Sequence, residues 1–413
     1  MEAMVKYEEY SSSLVRNKAF LLLLIATGFS SLGASMFIFT QTWYIVKDLN
    51  LGAAVGAVMI SSSISQMLFL FIGGVVADHW NKSKVLLLSD LIRTILVSSI
   101  VLIFILFNKV PLVTFIIYAF LFGVLSAFFN PTRDSIIPLI VHSSQLARAN
   151  SIIYTTNQLS VIIGPFVGGI IIGEFSYTIA FIFVASMLLL STITVSMVNI
   201  QNDEKKNVKE MKISKEVREG IKYLRKSSVL SSLLFISIFV NFFIVGPLFI
   251  GLPIFVDTVL KGGAMHYSFL EGSLSVGVLV GSIIMVLLNI KKRRGKLVLM
   301  LLLCLSVSFL IFSKSTELWT SVIVLCVVGM LIQMTIIPVI SIIQNFTEEE
   351  YMGRIMSLLT LSSMGLIPLS YGLTSLLLMW NVEILNIIFG CGISLLGLSI
   401  VFWFLYPVMY KID

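Results

Sequence analysis

The sequence predicts an all-α integral membrane protein with twelve transmembrane helices in two six-helix bundles. Three observations predict it. Of its 413 residues, 58% are hydrophobic and only 12% are charged, and its mean hydropathy is +1.03; soluble domains carry about 25% charged residues and about half apolar ones. The apolar residues form long uninterrupted runs, each close to the ~20 residues a helix needs to cross a bilayer. One long polar stretch, 201–228, divides those runs six and six. A chain this apolar cannot cover its own surface in water, and lipid removes that mismatch.

The runs, in order, lie near 19–46, 52–77, 85–107, 111–137, 147–173 and 177–198, then 229–257, 268–290, 296–313, 317–345, 355–379 and 382–407. Backbone groups in lipid must bond within their own segment, so each run is a helix. A barrel would show alternation over about ten residues, and these runs are continuous. The expected bundles are 1–200 and 229–413, joined by the linker 201–228. The linker mixes Lys205, Lys206, Lys209, Lys212, Lys215, Arg218, Lys222, Arg225 and Lys226 with Glu204, Glu210, Glu216 and Glu219. An amphipathic surface helix near 213–224 and a solvated segment both fit that composition.

The cations set an orientation. Among the connections, only Lys47, Lys109, Lys261 and Lys314 fall on the side opposite the termini and the linker. Cytoplasmic connections carry the excess of Lys and Arg, so both termini and the linker are expected inside, and the chain is expected as a multi-pass cell-membrane protein. Net charge is +7, but its confinement to short connections points away from nucleic acid. Cys304, Cys326 and Cys391 all fall in apolar runs and read as small buried hydrophobes, without a disulfide framework. No cleavable signal peptide is expected, because the first apolar run is too long for one.

The two halves echo each other. The second and third runs, and the eighth and ninth, are joined by short basic connections. Pro131 and Pro338 lie in the fourth and tenth runs, Ser151 and Ser357 early in the next ones, followed by Pro165 and Pro368. Matching positions of this kind support a duplicated six-helix unit.

Three local motifs carry a family resemblance. The first is Gly74–Val75–Val76–Ala77–Asp78–His79–Trp80–Asn81–Lys82–Ser83–Lys84. It resembles the cytoplasmic signature of the major facilitator superfamily, with Gly74, Asp78 and Lys82 in register; His79, Asn81 and Ser83 stand where Arg, Gly and a base are usual. The second, Gly164–Pro165–Phe166–Val167–Gly168–Gly169, is similar to the Gly-Pro motif of the exporters of that family. Gly164 and Gly168 offer a small-residue face for another helix, and Pro165 removes one ladder bond. The third combines Asn130–Pro131–Thr132–Arg133, Ala149–Asn150–Ser151 and Gly353–Arg354–Ile355–Met356–Ser357, and looks like the branch holding macrolide-efflux and enterobactin-exporter types. Ala119 stands where proton-coupled drug exporters carry Arg.

The resemblance implies a pseudo-two-fold symmetric fold and a conformational latch. Gly74, Asp78, Lys82, Lys84, Asp90, Arg93, Gly353 and Arg354 are its candidates. Asp78 would dock on the first turn of the eleventh span, whose free N–H groups favour a carboxylate, with Lys82 and Arg93 holding it ionised. Asp90 and Arg93 lie one turn apart and can also pair with each other.

Ionisable residues inside a span are costly and rare, so Asp134 and Glu271 are the candidates for proton coupling. The resemblance places the cavity on spans one, four, seven and ten. Ser35, Met36, Phe39, Gln41 and Trp43 are its candidates on the first span. Phe128 and Asn130, Asn241 and Phe242, and Gln333 are the others. Aromatics, methionine and a few amides suit an amphipathic, mostly apolar ligand.

These features point to a secondary transporter that exports a small amphipathic compound, a drug such as a macrolide or a secondary metabolite, by exchange for protons. A lipid or siderophore exporter, or a non-transporting membrane scaffold or sensor, are the alternatives. An enzyme is not expected: the chain has no P-loop, its histidines His79, His142 and His266 fall in connections, and no metal-ligand cluster occurs. The expected partners are lipid, a small-molecule substrate and protons, with no cofactor and a monomeric state.

Overall fold

A computed structural model describes residues 14–198, 213–290 and 292–405. Among the described residues, twelve helices are long and apolar enough to cross a membrane. The first six are Lys18–Lys47, Gly52–Ala77, Lys82–Phe107, Leu112–Ile140, Ser143–Glu174 and Tyr177–Ser196. The second six are Ser228–Thr258, Ala264–Leu288, Arg294–Phe312, Leu318–Phe346, Glu349–Met379 and Ile384–Phe404. A fourteen-residue helix, Ile213–Lys226, precedes the seventh span; the part of the expected linker at 201–212 lies outside the described residues.

The ends of these helices follow local chemistry. Asn17 caps the first span by accepting from Phe20 N, and its amide donates to Ile140 O at 2.6 Å, tying that end to the fourth span. Asn81 and Ser176 cap the third and sixth spans in the same way. Asn50, Asn108, Asn289 and Asn381 take positive φ, the left-handed conformation that Asn tolerates at helix ends. The fourth span runs on past the expected end at 137 to Ile140, so Pro138 joins Pro131, Arg133 and Asp134 within a helix. The eighth begins at Ala264 rather than near 268, which places Glu271 two turns into the span. His266 lies in that first turn and His79 ends the second helix, so two of the three histidines expected in connections are helical.

The chain divides into two compact units, Met1–Leu49 with Ser61–Lys206, and Asn50–Ile60 with Asn207–Asp413. In the first, span one packs on spans five and six, and span three on spans four and six. The core at one end gathers Phe20, Leu23, Leu86, Phe129, Ile136 and Ile153. In the second, span eight packs on ten, span nine on ten and twelve, and span seven on eleven and twelve. That unit also takes in the start of the second span: Ser375 donates to the carbonyl of Ala53.

Corresponding close approaches recur in each unit. A Cβ on Gly123 would lie 2.2 Å from Ser62 O, and one on Gly329 would lie 2.1 Å from Leu274 O. The fourth span therefore meets the second as the tenth meets the eighth, backbone against backbone. Small residues at such crossings let helices gain van der Waals contact where lipid supplies no hydrophobic drive.

Candidate functional site

In the first unit, a buried polar network joins four spans. Asp90 is fully buried and Arg93 is 4% exposed; they form an ion pair at 3.2 Å. Ser30 of span one donates to Asp90 Oδ1 at 2.9 Å, and Ser191 of span six donates to Oδ2 at 2.5 Å. Arg93 donates to Ser126 Oγ on span four at 2.8 Å, and its guanidinium lies 5.1 Å from the Phe129 ring and 5.7 Å from Phe122. Both carboxylate oxygens are thus satisfied, as a charge buried away from water requires. Arg93 is engaged with Asp90 and Ser126, and Lys82 Nζ donates to Ala77 O at 2.6 Å. The side chain of Asp78, the central residue of the expected latch, lies outside the described residues. Gly74 and Gly353 have open space where a Cβ would stand, and Lys84 is exposed.

The Gly-Pro motif lies against the first span. A Cβ on Gly164 would fall 2.9 Å from Ser35 Cβ and 3.0 Å from Met36 N; one on Gly168 would fall 2.8 Å from Phe39 Cδ1. Pro165 and Gly169 are buried beside them. Met36, Phe39, Gln41 and Trp43 are all buried. Among the described residues, Thr40 Oγ1, Gln41 Oε1 and Thr42 Oγ1 are buried without a partner. Successive helical positions are about 100° apart, so these three face different neighbours and do not converge on one point. On span four, Phe128 and Asn130 are half-buried, the former 6.5 Å from the Phe69 ring. Asp134 lies near the end of that span and pairs with Arg133 at 2.9 Å, its side chain 61% exposed.

In the second unit, span seven is broken at Ile250 into Ser228–Phe249 and Gly251–Thr258, and span eleven at Leu366 into Met352–Gly365 and Ile367–Met379. They cross where the Ser370 hydroxyl accepts from Gly246 N at 2.8 Å and donates to Phe242 O at 2.5 Å. Residues 242 and 246 are an acceptor and a donor one helical turn apart, so a side chain of span eleven bonds both backbone groups of one turn of span seven. Pro247 follows directly. Nothing in the local sequence of span seven announces this, since Ser370 is 124 residues away from Gly246. Asn241 Nδ2 donates to Ser237 O at 2.8 Å, the Phe242 ring stands 5.1 Å from Phe243, and Gln333 is half-buried on span ten.

Glu271 occupies span eight. Tyr267 lies one turn earlier on the same helix, and Oε2 is buried with no partner among the described residues. At the start of span eleven, Arg354 pairs with Glu219 of the linker helix at 3.2 Å and stacks on Tyr351 at 5.2 Å. No group of three or more potential metal ligands occurs among the described residues.

Comparison with known proteins agrees with this architecture. The family model for the Major Facilitator Superfamily matches residues 23–370. Macrolide efflux protein A of Streptococcus pyogenes is 23% identical over 290 residues, 69% of this chain and 71% of that protein. An uncharacterized MFS-type transporter of Bacillus subtilis, YkuC, is 26% identical over 367 residues, 84% of this chain and 83% of its own. Among solved structures, the nucleoside transporter NupG superposes with a TM-score of 0.72 at 13% identity, covering 96% of this chain and all of that one. A bacterial homolog of the human lysosomal transporter Spinster superposes at 0.70 and 12% identity, covering 97% and 98%. Twelve apolar helices among the described residues, with the signature between the second and third and the family model spanning most of their length, place this multi-pass membrane chain in the Major Facilitator Superfamily, as a transporter of small molecules.

Proposed function

We propose that the protein exports an amphipathic small molecule, a macrolide-like drug or a secondary metabolite, from the cytoplasm across the cell membrane in exchange for protons, working as a monomer with both termini inside. The likeness to macrolide efflux proteins over 69% of the chain supports the substrate class, and the excess of Lys and Arg in one set of connections supports the orientation.

The observation that carries the coupling half is Glu271. It is a carboxylate two turns into a span, with one oxygen buried and without a partner among the described residues. An ionised carboxylate in that position is a costly arrangement to hold. Taking up a proton removes the charge and gives Oε2 a hydrogen of its own. Cycling between the two forms supplies one protonation event per turnover. Asp134, exposed and already paired with Arg133, lacks that setting.

The test is efflux from energised vesicles with and without a protonophore. Export should collapse with the proton gradient, and Glu271→Gln should abolish gradient-driven export while substrate exchange at equilibrium continues. Export that survives the protonophore refutes proton coupling. A Glu271→Gln protein that still concentrates substrate moves the coupling site elsewhere.

A further inference from the structure

The linker helix Ile213–Lys226 has two faces that do different work. One is docked within the second unit. Glu219 pairs with Arg354 at 3.2 Å. Gly220 meets Leu358, Leu224 is 9% exposed, and Tyr223 stacks on Tyr351 at 4.5 Å. The Tyr223 hydroxyl accepts from Glu348 N at 3.2 Å. This face therefore clasps the start of span eleven, with Glu348 just before that span held through its backbone.

The opposite face carries Arg218, Lys222 and Arg225, all exposed. Their spacing of four and three residues sets them in one stripe along the helix. Ile221, 40% exposed, stands beside that stripe.

The helix is also held close to a membrane-spanning segment. Its last residue, Lys226, is followed by Ser227, which caps the seventh span by accepting from Leu230 N. Leu224 O accepts from both Ser227 N and Ser231 Oγ, at 3.1 and 2.7 Å. One residue separates the helix from the start of a span, which keeps its free face near the level where that span would leave the bilayer. A row of cations with an apolar residue beside it is complementary to an anionic bilayer surface.

We propose that Arg218, Lys222 and Arg225 bind anionic phospholipid headgroups and, through the docked face of the same helix, steady the start of span eleven. This rests on the place of the linker helix beside span seven and is independent of which substrate is carried or what drives it.

The experiment uses the full-length protein in phosphatidylcholine vesicles doped with spin-labelled phosphatidylglycerol or spin-labelled phosphatidylcholine. The immobilised fraction of each label is measured, together with amide hydrogen exchange of residues 349–358. The wild type should immobilise the anionic label preferentially, and phosphatidylglycerol should slow exchange at 349–358. In the triple variant Arg218→Gln/Lys222→Gln/Arg225→Gln the preference should fall by at least about fivefold, the effect of one headgroup cation, and the slowing should disappear. Glu219→Ala should keep the lipid preference but lose the slowing. A control, Lys292→Gln/Arg293→Gln, should keep both. The proposal is overturned if the wild type shows no anionic preference, or if the control loses it as fully as the triple variant. Displacement of the label by soluble glycerophosphate at equal phosphate concentration would assign the stripe to free anions and overturn it as well.

Discussion

Gly168 and Gly353 differ in what a side chain there would meet, although both stand in motifs shared with the family. Phe39 lies 2.8 Å from the position of a Gly168 Cβ, while nothing lies within 4 Å of a Gly353 Cβ. Forcing bulk into a packed site costs ~1–3 kcal/mol and sometimes more, whereas Ala in an open helical position is favoured over Gly by up to about 1 kcal/mol. Gly168→Leu should therefore lower the unfolding midpoint in detergent and block transport, and Gly353→Ala should leave the midpoint unchanged or raised. Equal midpoints for the two would mean that the contact with span one is not maintained in solution. Asp90 offers a second test at this scale. Asp90→Ala leaves Arg93 buried with its charge unopposed, a loss of ~3–5 kcal/mol for broken pairs. Asp90→Leu with Arg93→Met should recover most of that loss, because neither charge is then buried; chemical denaturation of the two variants checks it.

At the scale of elements, the crossing of spans seven and eleven is the feature that local sequence conceals. Ser370 bridges Gly246 N and Phe242 O, so the two spans share a backbone hydrogen-bond site. Both backbone groups lie in a continuous stretch of helix, where they can pair with each other, so Ser370→Ala should change stability by less than about 1 kcal/mol. Gly246→Ala is a different matter, since its Cβ would fall 2.5 Å from Ser370 O, a backbone atom that cannot swing aside. It should separate the two spans and cost several times more in the same denaturation assay. A mild effect of Gly246→Ala would mean that the spans are already apart. The linker helix is a second case. Its composition allowed a surface helix and a solvated segment equally, and the structure shows the helix with partners on span eleven that no local sequence names.

For the whole molecule, orientation is the quantity to measure. With both termini inside, an impermeant thiol reagent added to whole cells should label Lys109→Cys and Lys261→Cys. It should leave Lys84→Cys and Lys292→Cys unlabelled until the membrane is opened. The reverse pattern would place the linker helix on the outer face and remove the basis of the orientation.

Span number, the six-plus-six division and the family signature were legible because each depends on composition or on adjacent residues. A run of ~20 apolar residues has one stable answer in lipid, and motifs such as Gly164 to Gly169 are local. Which face of each span packs was not legible. In water an amphipathic stripe marks the buried side, but in lipid the outward face is as apolar as the inward one. Met36, Phe39, Gln41 and Trp43 read equally well as cavity or as core, and only the fold shows them buried, with Phe39 against Gly168. The same holds for Asp90, whose serine partners are 60 and 101 residues away, and for Glu271, whose unpartnered oxygen is a property of its surroundings. Lipid as the solvent makes helix formation a local matter, and it removes the polarity contrast that would have told those helices which way to turn.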